Sequence, residues 1–212
     1  MDKPVIIFGA KGLATSALEI FQSHGIVVYG FLDDDESLHS QEINSIPILG
    51  DTEDHGYLKL IGQKCEAFIA TDDNKLRKEL VDYLNEKRKV MPTNAVHDKA
   101  FLAESSSIGH GNFINAGVTI GADVEIGQHC IIHSGAIVEA GCKIGDYVQI
   151  GPGAVIGANT NLSSEAYVGA GANVVGGLTV GRNARIGAGS VVIQAVNDKE
   201  TVFGNPATVV KK

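Results

Sequence analysis

A six-residue hydrophobic period occupies the chain from residue 102 to residue 192 and constrains its fold more than any other feature. Every sixth residue is Leu, Ile or Val, without an insertion: Leu102, Ile108, Ile114, Ile120, Ile126, Ile132, Val138, Ile144, Ile150, Ile156, Leu162, Val168, Val174, Val180, Ile186 and Val192. A second, mostly small lattice lies two residues before each of these, and includes Cys130, Ala136 and Cys142. A period of six fits neither an α-helix, which repeats every 3.6 residues, nor an alternating strand, which repeats every 2. Such a fixed repeat is typical of a stacked, solenoid architecture.

The period predicts a prism of about five coils, each with three short faces of six residues. The aliphatic residue points into the prism, the small residue lies beside it, and each coil buries its apolar face by stacking on its neighbours. Glycine follows the aliphatic position at residues 109, 121, 127, 145, 151, 157, 169, 181 and 187. We expect these glycines to allow positive φ at tight corners. The prediction for residues 93–212 is therefore a left-handed parallel β-helix built from hexapeptide repeats.

The first 92 residues have a different pattern, in which short apolar runs alternate with helical periods. We predict strands at 5–8, 26–32, 46–49 and 67–70, and helices at 13–24, 50–61 and 75–88. The last helix is expected to place Leu76, Leu80, Val81 and Leu84 on its core side. This alternation predicts a small α/β domain at 1–92, with a Rossmann-like parallel sheet and helices on both faces.

Polar or glycine-rich segments follow three of the predicted strands. These are Gly9–Gly12, Asp33–Asp34 and Thr71–Asn74. Ligands of parallel α/β sheets bind beyond the carboxyl ends of the strands, and a glycine-rich turn before a helix suits an anion. The three segments are therefore a candidate ligand crevice, with solvated loops and helix caps as the alternative interpretation.

Composition excludes several classes of function. The formal charge is −8 and the pI is about 5.3, which argues against binding to nucleic acid or to an anionic membrane surface. No apolar run reaches the 18 or so residues of a membrane-spanning helix. The three cysteines, Cys65, Cys130 and Cys142, have no metal-ligand spacing and are expected to be buried. A reducing, cytoplasmic location is the simplest expectation.

Taken together, the motifs of the chain resemble one family along essentially its whole length. In order they are GAKGLA at 9–14, FLDDD at 31–35, IATDDNKLR at 69–77, VHDKA at 96–100, the hexapeptide period, and GNPA at 204–207. This set is similar to the bacterial sugar O/N-acyltransferases of the sialic acid O-acetyltransferase type. The family includes the N-acetyltransferases of nucleotide-linked 4-amino-4,6-dideoxy sugars.

The resemblance implies a homotrimer in which acetyl-CoA lies between neighbouring β-helices and the N-terminal domain holds a sugar nucleotide. It implies a sugar-nucleotide site formed by Lys11, Gly12, Leu13, Asp33, Asp34, Thr71, Asp72, Asp73 and Asn74. It implies a CoA site along Gln149, Ala158, Ala170 and Ala188. We expect no metal, for the reason given below.

The chain departs from the family pattern at the catalytic motif. The family's general base is a histidine in Val-Glu-His-Asp/Glu-Cys, whereas this chain reads Val-Glu-Ala-Gly-Cys at 138–142, with Ala140 at the histidine position. Leu13 and Gln149 also stand where many members have histidine. By contrast, His133 stands where asparagine is common, so four site positions differ together.

Two residues inside the repeat are candidates for the missing base. His133 and Glu139 occupy positions where glycine is favoured, in consecutive hexads. His133 could be a relocated base, a structural or interface residue, or a CoA contact without proton transfer. Glu139 would need a raised pKa to serve as a base. A metal site formed by His110, His129 and His133 is disfavoured, because Gln128, not His129, lies one 18-residue coil after His110.

Two functions remain open from the sequence. The first is transfer of an acetyl group from acetyl-CoA to an amino or hydroxyl group of a sugar nucleotide or related bacterial surface sugar. The second is a catalytically impaired homologue that binds sugar nucleotide or CoA without turning them over.

Overall fold

The computed structural model describes residues 3–210, and the chain divides into two compact units. Unit 1 is Met1–Asp98 and unit 2 is Lys99–Lys212. The break in contacts therefore lies six residues after the boundary expected from the sequence. No helix among residues 3–210 is long and apolar enough to cross a membrane.

Unit 1 is an α/β domain with a five-stranded sheet in the order β3-β4-β2-β1-β5. Its strands are β1 (Val5–Phe8), β2 (Val28–Leu32), β3 (Glu42–Ile43), β4 (Ile46–Gly50), β5 (Glu66–Ile69) and, outside this sheet, β6 (Ala95–Val96). Its helices are α1 (Leu13–Ser23), α2 (His55–Leu58) and α3 (Asn74–Arg88), with one 3-10 turn at Glu36–Leu38. All pairings are parallel except that of β3 with β4. The parallel sheet predicted from the alternating pattern is confirmed.

Two details of unit 1 differ from the expectation. The helix predicted over 50–61 is reduced to the four residues of α2, because the Asp54 side chain accepts hydrogen bonds from Gly56 N and Tyr57 N and so starts the helix late. On α3, Leu76 is 41% exposed, whereas Arg77 is 1% exposed. The core side of α3 therefore consists of Arg77, Leu80, Val81 and Leu84, and Leu76 is not part of it.

Unit 2 is a left-handed parallel β-helix with three faces and 18 residues per coil. Face 1 consists of β7 (Phe101–Leu102), β10 (Thr119–Ile120), β13 (Ile137–Val138), β16 (Val155–Ile156), β19 (Asn173–Val174) and β22 (Val191–Val192). Face 2 consists of β8 (Ser107–Ile108), β11 (Glu125–Ile126), β14 (Lys143–Ile144), β17 (Asn161–Leu162) and β20 (Thr179–Val180). Face 3 includes β9 (Phe113–Ile114), β12 (Ile131–Ile132), β15 (Gln149–Ile150), β18 (Tyr167–Val168), β21 (Arg185–Ile186) and β23 (Thr201–Gly204). The predicted β-helix is confirmed on all three faces.

Each face passes into the next through a three-residue corner. The His133 corner joins face 3 to face 1 and comprises 115–117, 133–135, 151–153, 169–171 and 187–189. The Ala140 corner joins face 1 to face 2 and comprises 103–105, 121–123, 139–141, 157–159 and 175–177. The Asp146 corner joins face 2 to face 3 and comprises 109–111, 127–129, 145–147, 163–165 and 181–183.

The interior of the β-helix is filled as the two lattices predict. From Ile114 to Ile186 the aliphatic positions are buried, and the small positions beside them are almost all buried too. Cys130 and Cys142 are fully buried, and their Sγ atoms lie 3.1 Å from Gly145 O and 3.2 Å from Gly157 O. Both thiols are therefore structural.

The glycines after the aliphatic positions have a different role from the one expected. None of the nine has a φ in the positive range. A Cβ on Gly151 would lie 2.6 Å from the amide nitrogen of Ala170 in the next coil, so glycine is required by close stacking of the coils. Positive φ occurs two residues later, at Gly153 (φ 63) and also at non-glycine residues such as Tyr147 (φ 59). The expectation of positive φ at the first corner position was wrong.

The repeat ends in a shortened coil and a hairpin. Arg185 pairs with Thr201 in parallel, sixteen positions later rather than eighteen. The strand β23 then pairs antiparallel with β24 (Ala207–Val209), and the GNPA segment forms the turn between them.

Candidate functional site

The glycine-rich turn of unit 1 is fixed by Asp33, at the end of β2. The Asp33 carboxylate accepts hydrogen bonds from Ala10 N at 2.8 Å and from Asp35 N at 2.9 Å. One side chain thus joins the turn after β1 to the loop after β2. Helix α1 begins at Leu13 after Gly12 (φ 53), without a side-chain cap, and Ala14 N donates to Lys11 O at 3.1 Å.

Lys11 projects from the same turn and forms an ion pair with Asp35, with Nζ 2.6 Å from Oδ2. The hydrogen bond from Lys11, followed by those from Ser37, lowers the pKa of Asp35 to about 2. The same contact with Asp35 raises the pKa of Lys11. Both groups are therefore charged at neutral pH, and a ligand phosphate would compete with Asp35 for the lysine.

The Asp34 side chain is held by Thr52, a residue that was not predicted to belong to the site. Its carboxylate accepts from Thr52 N at 2.8 Å and from Thr52 Oγ1 at 2.9 Å. His39 Nε2 lies 2.7 Å from Asp33 O, on the neighbouring loop. The structure thus brings the Gly9–Gly12 and Asp33–Asp34 segments together and gives their carboxylates partners within the fold.

The Thr71–Asn74 loop is organised by Arg77. The buried Arg77 guanidinium donates to Thr71 O at 2.7 Å and to Asn74 Oδ1. The Asp73 side chain caps α3 by accepting from Lys75 N at 2.7 Å. Arg77 was missed in the sequence, although the spacing of residues 77, 80, 81 and 84 is that of one helical face.

Replacing Arg77 tests whether it holds this loop. Arg77→Leu keeps much of the side-chain volume but leaves Thr71 O without its charged donor. We expect a loss of about 2 kcal/mol in the free energy of unfolding, measured by urea denaturation. The matched control is Lys75→Ala, which removes only an exposed 3.9 Å pair with Glu79 and should cost less than about 0.5 kcal/mol. Equal stability of Arg77→Leu and wild type would contradict this role.

In unit 2, the residues expected to bind CoA fall on two corners of the β-helix. Ala170 and Ala188 lie in consecutive coils of the His133 corner, and Gln149 lies on face 3, which leads into that corner. Ala158 lies at the Ala140 corner, one coil after Ala140 itself. One copy of the chain therefore presents two separate rows, one at each end of face 1.

Both rows expose backbone amides. Within the described part of the chain, the amides of Ala140, Ala158, Ala170 and Ala188 donate no hydrogen bond, and all four residues are exposed. At the Asp146 corner, by contrast, Asp146 Oδ1 accepts from Gln128 N at 2.8 Å. The two rows are thus available to hydrogen-bond acceptors of an extended ligand.

The candidate base residues lie at opposite ends of face 1. His133 is half-buried at the His133 corner, with its ring centroid 6.3 Å from that of Phe113 at an interplanar angle of 63°. Glu139 and Ala140 are exposed at the Ala140 corner. Next to them, Gly141 has φ 71, and a Cβ there would lie 2.5 Å from Asn159 Oδ1.

The remaining histidines of unit 2 are separate from these rows. His129 is 3% exposed and its ring centroid lies 5.0 Å from that of Tyr147. His110 is exposed at the Asp146 corner. Among residues 3–210, no group of three His, Cys, Asp or Glu side chains is arranged to hold a metal ion.

Comparisons with known sequences assign both units to described families. The family described as PglD N-terminal domain matches residues 4–84. The family described as bacterial transferase hexapeptide (six repeats) matches residues 105–140 and 126–158. No curated protein matches the chain significantly.

Solved structures match along the whole chain. A histidine-to-alanine mutant of GDP-perosamine N-acetyltransferase from Caulobacter crescentus, in complex with CoA and GDP-perosamine, is 31% identical, with a TM-score of 0.91 over 99% of this chain and 97% of that one. PerB from the same organism, with the same two ligands, is 31% identical, with a TM-score of 0.89 over 98% and 97%. WeeI from Acinetobacter baumannii is 25% identical, with a TM-score of 0.85 over 98% and 99%. With matching families in both units and 31% identity over nearly all of a known enzyme, the chain belongs to the hexapeptide-repeat sugar acyltransferases.

Proposed function

We propose that the protein transfers an acetyl group from acetyl-CoA to the amine of a nucleotide-linked 4-amino-4,6-dideoxy sugar. The observation that carries this proposal is the similarity to GDP-perosamine N-acetyltransferase, which spans both units and 97% of that enzyme. That enzyme has been solved with CoA and GDP-perosamine bound. The cosubstrate of this chain is accordingly acetyl-CoA, and its acceptor is a sugar nucleotide.

The crevice of unit 1 supports binding of the nucleotide. Asp33 and Asp34 offer carboxylate oxygens, which act only as acceptors and so suit the N–H groups of a nucleobase. The uncapped start of α1 and the Lys11 ammonium suit a diphosphate. We assign the sugar-nucleotide site to Lys11, Gly12, Leu13, Asp33, Asp34 and Thr71–Asn74.

The amide rows of unit 2 support binding of CoA. The pantetheine arm of CoA contains two amide groups, whose carbonyl oxygens are hydrogen-bond acceptors. Ala170 and Ala188 expose amide donors in consecutive coils, about 4.8 Å apart along the axis. We assign the CoA site to this row, with Gln149, and to the row of Ala158 at the other corner.

We further propose that the active protein is a homotrimer packed through face 1. The outward residues of face 1 include Ile137, Val155 and Val191, whereas those of face 2 are all polar: Ser107, Glu125, Lys143, Asn161 and Thr179. Val175 and Ile193, at the edge of face 1, are each 50% exposed. Thr119 and Asn173 are the polar outward residues of face 1. A partly exposed, mainly apolar surface of this kind is typical of a protein interface.

The missing family histidine does not exclude catalysis. A histidine-to-alanine mutant of the Caulobacter enzyme still holds both CoA and GDP-perosamine, so this fold can bind both ligands without one of its histidines. A neutral amine also needs less help from a base than a hydroxyl does, and positioning beside the thioester can supply much of the acceleration. The lower demand of an amine for a base favours N-acetylation over O-acetylation.

Release of free thiol from acetyl-CoA tests the proposal. The wild-type protein is assayed with a panel of UDP-, dTDP- and GDP-linked 4-amino sugars, and the 4-hydroxy analogues serve as controls. We expect thiol release that requires one of the amino sugars, with the N-acetylated product seen by mass spectrometry. Binding of sugar nucleotide and CoA without turnover of any amino sugar would instead identify a non-catalytic homologue.

A further inference from the structure

A threefold arrangement through face 1 has a geometric consequence for the two corners at its ends. When three copies pack their equivalent faces around one axis, one edge of each face meets the opposite edge of the next. The His133 corner of one copy therefore lies beside the Ala140 corner of its neighbour. His133 and Ala140 are seven residues apart in a coil of 18 that rises one strand spacing, so their heights along the axis differ by only about 2 Å.

The distance along the His133 corner from Ala188 to His133 matches the length of the CoA pantetheine arm. From the coil of Ala188 to the coil of His133 there are three coil steps, about 14 Å along the axis. The pantetheine arm has twelve bonds from its phosphate oxygen to its sulfur, which equals four extended peptide residues, or again about 14 Å. A CoA whose pyrophosphate lies at Ala188 therefore places its thioester at the level of His133.

The residues between these two ends agree with this direction of the arm. At the phosphate end, the exposed Arg185 lies three residues before Ala188, with its guanidinium 4.5 Å from the centroid of the Tyr167 ring. Free amides follow at Ala188 and Ala170. One coil nearer to His133 the equivalent residue is Pro152, which has no amide hydrogen. Pro152 thus interrupts the row of amide donors one coil before His133.

We propose that His133 of one copy is the general base of the site it forms with the Ala140 corner of the next copy. The inference rests on the proposed function and on the trimer. The neutral sugar amine attacks the thioester carbonyl carbon, and a C–N bond forms. His133 takes one amine proton through a ring nitrogen, the C–S bond breaks, and the proton passes to the departing CoA thiolate. The products are the acetamido sugar nucleotide and free CoA.

Substitution of His133 separates catalysis from binding. His133→Ala and the size-conserving His133→Asn should lower kcat by about a hundredfold or more, with a KM for acetyl-CoA close to that of wild type. Imidazole added to His133→Ala should restore part of the rate, which a merely structural role would not allow. Arg185→Ala should show the opposite pattern, a raised KM and an unchanged kcat, and His110→Ala should leave both unchanged.

Mixed trimers test the use of two copies in one site. His133→Ala is co-expressed with Ala140→Trp, which blocks the opposite wall while leaving His133 intact. In every mixed trimer one of the three sites combines two unaltered corners, so random assembly should restore about a quarter of the wild-type rate. Neither variant alone should be active.

The possible failures are distinguishable. An inactive wild type that binds both substrates overturns the proposed function and, with it, the base. If the wild type and His133→Asn are both fully active, the assignment of His133 as base is wrong, while the proposed function stands. The same holds if activity is lost in Glu139→Gln but not in the His133 variants. A mixture that remains inactive while both parent proteins assemble as trimers overturns the shared site.

Discussion

Val155→Glu should convert the trimer into a monomer and lower the acetyl-transfer rate at least a hundredfold. Val155 is a partly buried, outward residue of β16, near the middle of face 1. Three copies of the substitution would bring three carboxylates to one apolar interface, where burial of unpaired charge is costly. Because each active site would need corners from two copies, dissociation would remove the sites without altering any residue in them. Light scattering should give the 22.2 kDa mass of one chain, where wild type gives three times that mass.

A control with the same added charge lies six residues away. Asn161→Glu places the carboxylate on the outward side of face 2, which already carries the Glu125–Lys143 ion pair at 3.4 Å. It should leave both mass and activity unchanged. A trimeric, fully active Val155→Glu would contradict packing through face 1.

Gly169→Ala should strongly destabilise the β-helix by adding one methyl group between two coils. The new Cβ would lie 2.5 Å from Ala188 N and 2.8 Å from Ala188 Cα, and both atoms belong to the backbone of the next coil. A clash with backbone cannot be relieved by a rotamer change, so the coils must separate. We expect a loss of about 3 kcal/mol in the free energy of unfolding, measured by thermal or urea denaturation at one protein concentration.

The matched control is Gly171→Ala, two residues later in the same corner. Gly171 has φ 63, but a Cβ there would meet nothing within 4 Å. The cost should be about 1 kcal/mol, that of a left-handed conformation. Glu165 and Asn183 already adopt this conformation at the third position of the Asp146 corner. Equal losses for the two variants would show that close stacking is not the reason for glycine at position 169.

The fold was largely predictable because each unit has its own hydrophobic pattern, and each pattern has a simple physical cause. Burial of one aliphatic residue per face gives the six-residue lattice, and alternation of strands and helices gives the parallel sheet. The role of the corner glycines was not predictable from propensity, because the clash that excludes a side chain at Gly151 involves Ala170, nineteen residues away. The preference of glycine for positive φ is a local property, so it cannot predict a contact between two coils.

The sequence indicated which segments are candidates for the site, but not the contacts that hold these segments in place. Motif order identified the Asp33–Asp34 and Thr71–Asn74 segments, yet the residues that hold them, Thr52 and Arg77, come from elsewhere in the chain. A buried arginine also breaks the expectation that a helix turns its leucines inward, which is why Leu76 was misplaced. The roles of the site residues in binding and catalysis stay predictions until the assays above are made.

The hairpin at the end of the β-helix has a consequence for solubility. A stack of parallel coils has open strand edges at its ends, and such edges can recruit further strands and grow into filaments. The last coil is two residues short, and β24 runs antiparallel to β23, so the outermost strand of face 3 no longer presents the parallel register that an added coil would need. The regular six-residue repeat would by itself favour end-to-end polymerisation of the β-helix. The irregular last coil and the hairpin oppose it.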